Sequence, residues 1–177
     1  MARTAPRPLP VRRRGALVDT SRKLQASKVI DAPADKIFAL LSDPNRHVDL
    51  DDAGMVRGPE GDAPPIGGIG QVFTMNMHQD ALGDYRMVNT VTAYQPTSRI
   101  GWAPAMDPSC DLASKLGDMD ASGHTFTYDL AEVDGGTRVT QTYEWMSVHD
   151  EEFLKLFPVV SEKDLSATLD RIASQVA

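Results

Sequence analysis

The stretch from Ser27 to Pro44 most restricts the folds open to this chain, because a strand pattern there passes directly into a helix pattern. Val29 and Ile30 end a β-type run, and Pro33 suits the start of a helix, where its missing N–H and fixed φ are tolerated. An apolar face follows at helical spacing, formed by Ile37, Leu40 and Leu41. The sequence therefore predicts a fold that opens with a strand and a helix packed on a core.

A second short helix is predicted directly after the first. The residue before a proline disfavours the α conformation, so Asp43-Pro44 should end the first helix. Asp43 is also a suitable cap for a short turn running from Asn45 to Leu50. The fold should therefore begin with one strand and a small helix-turn-helix.

Alternation of apolar and polar residues predicts several further strands. They cover Gly54 to Arg57, Gln71 to His78, Tyr85 to Tyr94, Arg99 to Ala103, Thr125 to Glu132 and Thr137 to Ser147. The last two, joined by Val133 to Gly136, form the clearest hairpin. Short connections between consecutive strands favour antiparallel pairing, so we expect one curved antiparallel sheet of about six to seven strands.

The end of the sequence predicts a helix that covers this sheet. A short helical piece starts at Glu151 and is interrupted at Pro158, after which Ser161 and Asp164 have the spacing of a capping box. One apolar stripe follows, formed by Leu165, Leu169, Ile172 and Val176. A curved sheet closed by one long amphipathic helix is an α+β two-layer fold.

The side chains predicted to face the helix are both bulky and chemically mixed. Hydroxyl, amide, imidazole and indole groups occur among apolar ones, and an unpaired buried polar group costs on the order of 1–3 kcal/mol. Either they line a ligand pocket, or the core is filled, with Tyr and Trp tips in water and His124 bonded to a backbone carbonyl. The candidate ligand-binding residues are Phe73, Met75, Met77, Tyr85, Met87, Asn89, Trp102, His124, Phe126, Tyr128, Gln141, Tyr143, Leu165 and Leu169.

The segment from Pro104 to Gly123 has no strand pattern and is long for a connection. Asp111 to Leu116 is predicted to form one or two helical turns with Leu112 and Leu116 on one side. The segment could act as a lid at a cavity mouth or be a surface insertion. Cys110 within it is expected to be an ordinary thiol.

The densest polar group of the sequence is formed by His47, Asp49, Asp51 and Asp52. These are ligand types that a divalent cation accepts, but they also suit the end of a helix that turns into a strand. We expect the structural role, and we expect neither a metal nor a cofactor. No phosphate loop, paired cysteines or nucleophile motif occurs in the sequence.

Charge divides the chain into a basic beginning and an acidic body. Seven basic side chains against Asp19 give residues 1–23 a net charge of +6, which leaves −13 for the rest of a chain whose net charge is −7. We expect residues 1–22 to be a disordered extension, or an arm that contacts anionic lipid or nucleic acid, and residues 23–177 to form one domain. The acidic body argues against a nucleic-acid groove on the domain itself.

Composition indicates an intracellular, cytoplasmic protein without a membrane span. The single Cys110 cannot form an internal disulfide, and no apolar run reaches the ~20 residues that a transmembrane helix needs. The sequence leaves the oligomeric state open, with a homodimer as one option.

Several motifs resemble the SRPBCC superfamily, the START-like polyketide cyclase/dehydrase and lipid-transport proteins with a helix-grip fold. The resemblance covers about Leu24 to Ala177 and rests on V-I-D-A-P-A-D-K-I-F-A-L-L-S-D-P-N-R-H, N-T-V-T-A-Y, I-G-W and T-R-V-T-Q-T-Y-E-W. It implies the helix-grip fold and a hydrophobic cavity, with His47 and Asp51 at the cavity edge. It favours the pocket over the filled core.

Three functions are consistent with this resemblance. The first is a carrier or sensor that binds a lipid, polyketide or aromatic molecule between sheet and helix. The second is a polyketide cyclase or dehydratase, with His124 as general base and Asn89, Tyr128 and Tyr143 as hydrogen-bond donors. The third is a protein-interaction domain directed by the basic arm.

Overall fold

The computed structural model describes residues 21–177, which form one seven-stranded antiparallel sheet and five helices. The strands are β1 Lys23–Ile30, β2 Val56–Pro59, β3 Val72–Gln79, β4 Gly83–Gln95, β5 Arg99–Met106, β6 Thr125–Val133 and β7 Gly136–Glu144. The helices are α1 Ala34–Leu41, α2 His47–Leu50, α3 Asp111–Leu116, α4 Glu151–Leu154 and α5 Glu162–Val176, with a 3₁₀ turn at Pro44–Arg46. The predicted α+β helix-grip fold is confirmed.

The strand order in the sheet is β1-β7-β6-β5-β4-β3-β2. Strands β2 to β7 follow one another as antiparallel neighbours, and β1 joins the far side of β7 with Ser27 opposite Thr140. The β6–β7 turn needs glycine at Gly136, because its φ is 129° and an added Cβ would lie 2.1 Å from the Ile30 carbonyl oxygen. The turn is therefore shaped by the end of β1 as well as by its own hairpin.

The opening helices have the apolar face and the cap that the sequence predicts. Helix α1 buries Ile37, Leu40 and Leu41 in the main core. The Asp43 side chain accepts a hydrogen bond of 3.0 Å from the Asn45 amide at the start of the 3₁₀ turn. These short helices lie beside α5 and β2 and close one side of the sheet.

Helix α5 begins with the predicted capping box. The Ser161 hydroxyl accepts from the Asp164 amide at 3.2 Å, and the Ser161 amide donates to the Asp164 carboxylate at 2.7 Å. The predicted apolar stripe is buried along the whole helix, at Leu165, Leu169, Ile172 and Val176. None of the helices within residues 21–177 is both long and apolar enough to cross a bilayer.

Some predicted strand bounds are wrong. Strand β5 continues to Met106 instead of ending at Ala103, so the loop predicted from Pro104 starts later. A proline is tolerated there because pairing of β5 with β6 ends at Trp102, opposite Phe126, and Pro104 has no donor to lose on that side.

Strand β4 starts two residues earlier than predicted, at Gly83, and further boundary differences lie at the ends of β1, β2 and β7. Lys23 belongs to β1, and the Arg22 carbonyl accepts from the Trp145 amide at 2.9 Å, so contacts with the sheet begin within the basic segment. Strand β2 lies two residues later than predicted, and β7 ends at Glu144 instead of Ser147. Of the basic extension predicted for residues 1–22, positions 1–20 lie outside the residues that the structure describes.

Candidate ligand cavity

A cavity of about 520 Å³ lies between the curved sheet and the first half of α5. Strands β3 to β7 form one wall, and Asp164, Leu165 and Thr168 of α5 form part of the other. This volume is within the range of roughly 300–1,000 Å³ that small-molecule pockets have. The sheet and helix thus enclose room for a ligand.

Thirteen of the fourteen predicted ligand-binding residues line this cavity. They are Phe73, Met75, Met77, Tyr85, Met87, Asn89, Trp102, His124, Phe126, Tyr128, Gln141, Tyr143 and Leu165. The exception is Leu169, which is 1% exposed and packs in the core, because only the first turns of α5 face the cavity. Their role in binding a ligand stays a prediction.

One part of the wall is rich in methionine. The methionines that line the cavity are Met55, Met75, Met77, Met87, Met106 and Met119. Methionine is unbranched and polarisable, so a wall made of it adapts to ligands of different shape. Cys110 lies behind this wall, where its Sγ donates to the Met106 Sδ at 3.6 Å.

Another part of the cavity wall is aromatic. The rings of Phe126 and Tyr143 are stacked with centroids 4.5 Å apart. The His124 ring lies beside Phe153 and Phe157, at centroid distances of 5.6 and 5.4 Å. We call this group of five rings the aromatic end; four of them line the cavity, and Phe157 packs behind His124.

His124 makes no hydrogen bond through Nδ1 to any residue of the described chain, although that atom is buried. The backbone carbonyl partner considered from the sequence is therefore not observed. Burial lowers the pKa of His124 to about 4, because the charged imidazolium would lose its water among aromatic rings. At neutral pH the imidazole is uncharged.

Tyr128 and Gln141 face each other on neighbouring strands and form a buried pair. The Gln141 Nε2 donates to the Tyr128 hydroxyl at 2.9 Å, and the second polar atom of the amide, Oε1, has no partner within residues 21–177. Burial raises the pKa of Tyr128, and the charge of Asp51 adds to that effect. The pair is uncharged at neutral pH.

The Tyr143 hydroxyl is also left unpaired. It lies near the Val159 backbone, but it makes no hydrogen bond of ordinary geometry to the part of the chain that the structure describes. Burial raises the pKa of Tyr143, so the hydroxyl keeps its proton. Tyr143 can therefore donate to a ligand.

Asn89, the polar residue on the otherwise apolar face of β4, bonds mainly to its own sheet. Its Nδ2 donates to the carbonyls of Phe73 at 3.4 Å and Met87 at 3.2 Å. These bonds are long, and they hold the amide against the cavity wall. No described residue bonds its Oδ1, which leaves this atom as a further acceptor.

His47 is a cavity residue, as the resemblance implies. Its ring is stacked on Trp102 with a centroid distance of 4.9 Å and an angle of 18°. Its Nε2 lies 2.8 Å from the Leu41 carbonyl, which can only accept, so Nε2 carries the proton. Burial lowers the pKa of His47, and the ring is neutral with Nδ1 as an acceptor.

Two carboxylates line the cavity in addition to the uncharged groups. Asp51 accepts from the amides of Ala53 at 3.2 Å and Val56 at 2.7 Å, which fixes the turn into β2. Burial and, to a smaller extent, the Asp51 charge raise the pKa of Tyr85 to about 12. Asp164 is the second carboxylate, and its bonds to Ser161 lower its pKa.

The four polar residues His47, Asp49, Asp51 and Asp52 do not converge on one point. Asp49 pairs with Arg46 at 2.9 Å, and Asp52 pairs with Arg171 of α5 at 2.9 Å. No group of three potential ligands occurs within residues 21–177. These contacts favour the structural role that the sequence indicates for the segment.

Exposed apolar side chains and α3 surround the cavity mouth. Leu82, Leu156 and Val159 line the cavity and are 42%, 58% and 39% exposed. Leu112 and Leu116 of α3 also line it, and the lid role of their segment stays a prediction. A smaller cavity of about 170 Å³ lies on the other side of Leu116, between β5 and α3.

An ion pair and several hydrogen bonds connect the segment that carries α3 to strand β4. The Arg86 Nε donates to the Asp107 carboxylate at 2.7 Å, and Asp107 also accepts from the Ser109 amide and hydroxyl. Hydrogen bonds from Ser109, and then from Arg86, lower the pKa of Asp107 to about 2. We call residues 107–116 the mouth segment. Its start is therefore held in place by these contacts, and Leu116 lies at its other end.

A sequence model of the family described as polyketide cyclase/dehydrase and lipid transport matches residues 21–177. The chain belongs to this family. The description of the family names both enzymes, the polyketide cyclases and dehydrases, and lipid-transport proteins.

Similar proteins show how widely the fold occurs. The uncharacterised protein Rv0088 of Mycobacterium tuberculosis is 26% identical over 88% of this chain and 64% of its own length, so the chain spans less than two thirds of that relative. Protein Ms6760 from Mycobacterium smegmatis has a TM-score of 0.62 at 16% identity, over 88% of this chain and 90% of that one. The Aha1 dimer from Colwellia psychrerythraea has a TM-score of 0.54 at 15% identity, over 87% and 95%. At these identities the solved structures show the fold alone.

Proposed function

We propose that this domain binds an apolar small molecule, a lipid, polyketide or aromatic compound, in the cavity between the sheet and α5, and acts as its carrier or sensor. The observation that carries the proposal is the set of unpaired polar atoms on residues that line a mainly apolar cavity. His124 Nδ1, Gln141 Oε1 and Tyr143 Oη are buried and without partners among the described residues. Buried polar groups are normally paired, and a bound molecule would pair them.

The apolar walls would supply most of the binding free energy. Burial of apolar surface contributes about 25 cal/mol per Å², and the methionine wall and the aromatic end both offer such surface. The polar atoms would then orient the ligand. This division of roles is the usual one in small-molecule sites.

The catalytic alternative, a polyketide cyclase or dehydratase, depends on His124 as general base. An efficient base has a pKa near the working pH and a partner that orients it. The pKa of His124 is lowered to about 4, and its Nδ1 has no partner within residues 21–177. Both features favour binding over proton transfer.

Native mass spectrometry of the protein, purified gently from its own host, tests the proposal. A stoichiometric apolar molecule, identified after organic extraction, is the expected result. An empty protein that no member of a panel of lipids and aromatic polyketides stabilises would contradict it. Turnover of the extracted compound that disappears in His124→Ala, with binding retained, would instead support the enzyme.

A cavity-filling variant makes the result specific to this site. Met87 faces the cavity from the middle of β4, whereas Thr90 on the same strand is exposed. Met87→Trp should lose the copurified molecule, and Thr90→Trp should keep it. Equal occupancy in both variants would place the molecule elsewhere on the chain.

The remaining expectations from the sequence are proposals of the same kind. They are a domain starting near residue 23, a basic arm before it, a cytoplasmic location and a homodimer as one option. The Colwellia protein of the same fold is described as a dimer, and light scattering of the full chain measures this property directly. Deletion of residues 1–20 without a change in captured partners would dispose of the interaction function of the arm.

A further inference from the structure

Three uncharged polar groups lie together where β6 and β7 border the cavity. We call them the polar cluster: His124, Gln141 and Tyr143, which are 6%, 3% and 0% exposed. Gln141 and Tyr143 are two residues apart on one strand and so share a face, and the Tyr143 and His124 rings are 6.1 Å apart. The residues of the cluster are therefore near enough to one another to contact a single ligand.

Each member of the polar cluster has a free hydrogen-bonding atom. Whichever way the Gln141 amide is turned, one of its polar atoms pairs with Tyr128 and the other is left over. Tyr143 offers a hydroxyl proton, and the neutral imidazole of His124 offers one nitrogen. Hydroxyl and carbonyl groups of a ligand match these atoms without a charge on either side.

The formal charges that border the cavity are negative. Asp51 is held by two backbone amides and Asp164 by Ser161, and the lining contributed by residues 21–177 contains neither Lys nor Arg. The field of Asp51 reaches the hydroxyls of Tyr85 and Tyr128 inside the cavity. An anion that enters the cavity therefore meets charges of its own sign.

An anionic ligand group would also lose its water at the polar cluster. Burial of a charge is unfavourable unless an opposite charge or several hydrogen bonds compensate for it. The cluster offers uncharged atoms only, and Asp51 and Asp164 at the cavity border add repulsion. An uncharged ligand group avoids both effects.

We propose that the cavity selects uncharged ligands that bear hydroxyl or carbonyl groups next to His124, Gln141 and Tyr143, and that it rejects the corresponding carboxylates. This inference rests on the proposed function, since it names the class of ligand for the same cavity. It places hydroxylated aromatic ketones and fatty alcohols among the ligands. Free fatty acids and aromatic acids fall outside the class.

Ligand pairs that differ only in one charged group test the selection. Aloe-emodin and rhein are the same dihydroxyanthraquinone with a hydroxymethyl or a carboxylate group, and octadecanol and octadecanoate form a second pair. Binding to the full chain is measured near pH 7 by quenching of tryptophan fluorescence, because Trp102 lines the cavity, and by calorimetry. We expect each neutral member to bind at least about tenfold more tightly than its carboxylate.

The outcomes separate this inference from the proposed function. Equal or tighter binding of rhein and octadecanoate overturns the charge selection and leaves the binding function in place. No binding by any of the four compounds, or by the lipid and polyketide panel, overturns both. Tighter binding of the neutral members that persists at raised ionic strength supports the selection.

Removal of one hydroxyl tests the contact at the polar cluster itself. Tyr143→Phe should weaken aloe-emodin binding about threefold to tenfold, the usual effect of one hydrogen bond, and leave the binding of anthracene, which has neither hydroxyl nor carbonyl groups, unaffected. Tyr94→Phe is the matched control, because Tyr94 packs against Phe38 away from the cavity lining. An equal loss for both compounds, or no loss for aloe-emodin, would contradict the assigned role of Tyr143.

Discussion

The side-chain amide of Gln141 donates a 2.9 Å hydrogen bond to the hydroxyl of Tyr128 between two neighbouring strands, and both residues are at most 5% exposed. The two residues stand directly opposite each other in the β6–β7 register. This bond occupies the Tyr128 hydroxyl and one polar atom of the Gln141 amide, and it leaves the other polar atom of the amide without a partner among the described residues. The energetic value of the pair therefore depends on both partners being present.

A double-mutant cycle on this pair has a definite expected result. Tyr128→Phe removes the hydroxyl and leaves the buried amide fully unpaired, which should lower the free energy of unfolding by about 1–3 kcal/mol. Tyr128→Phe combined with Gln141→Met removes both polar groups and should recover most of that loss. Urea denaturation of the wild type, the two single variants and the double variant completes the cycle, and additive losses would show that the bond contributes little.

The stability of the domain should fall on mild acidification because of His124. Its pKa is about 4 when folded and 6.5 ordinarily, so the unfolded chain binds more protons between these values. Stability is then fully present above pH 6.5 and decreases towards pH 4, by on the order of 3 kcal/mol, since one pKa unit is about 1.4 kcal/mol.

Two variants test whether the His124 imidazole causes this pH dependence of stability. His124→Phe should flatten part of the decrease in urea midpoint, while buried His47, whose pKa is also lowered, keeps the rest. His149 is exposed, and His149→Gln should follow the wild-type curve. An unchanged slope in His124→Phe would show that the buried imidazole does not control it.

Removal of metal ions should leave the domain unaffected. Asp49 and Asp52 pair with arginines and Asp51 caps backbone amides, so these carboxylates already have partners. We expect the same melting temperature before and after titration with a chelator. A lower melting temperature with chelator, restored by added divalent ions, would reveal a site that these contacts do not predict.

The contact between Arg86 and Asp107 should control the motion of the mouth segment. Asp107→Asn removes the charge that accepts from Arg86 and Ser109, and amide hydrogen exchange should become faster in residues 107–116. Asp129→Asn is the matched control, since it breaks an exposed pair with Arg99 on the other side of β5. Equal exchange in both variants would indicate that apolar contacts of α3 alone hold the segment.

Much of the fold follows from local patterns in the sequence. The Ser161–Asp164 capping box predicts the start of α5, and the four-residue turn Val133 to Gly136 predicts the β6–β7 hairpin. These signals are short-range and depend on the chain itself. The end of β5 was missed because Pro104 reads as a strand terminator, and only the spatial end of β6 makes it acceptable.

The residues that line the cavity were predicted well on the sheet and incompletely elsewhere. Alternation along a strand assigns Tyr85, Met87 and Tyr143 to one face, which is why most predicted residues line the cavity. It could not show that Leu169 lies beyond the cavity, since that depends on the angle at which α5 crosses the sheet. Whether the polar atoms of Gln141 and Tyr143 are paired depends on which residues lie near them in space, and no sequence pattern shows this.

The pairing of β1 with β7 has a consequence for how the chain reaches its native state. Ser27 and Thr140, whose hydroxyls lie 3.1 Å apart, are separated by 113 positions. During synthesis the first strand must wait, with its edge unpaired, until the last strand has left the ribosome. Contacts between such distant positions slow folding, and a strand whose edge is unpaired can pair with a strand of another chain. Closure of β1 onto β7 should therefore be the late step in which nascent chains are lost to aggregation.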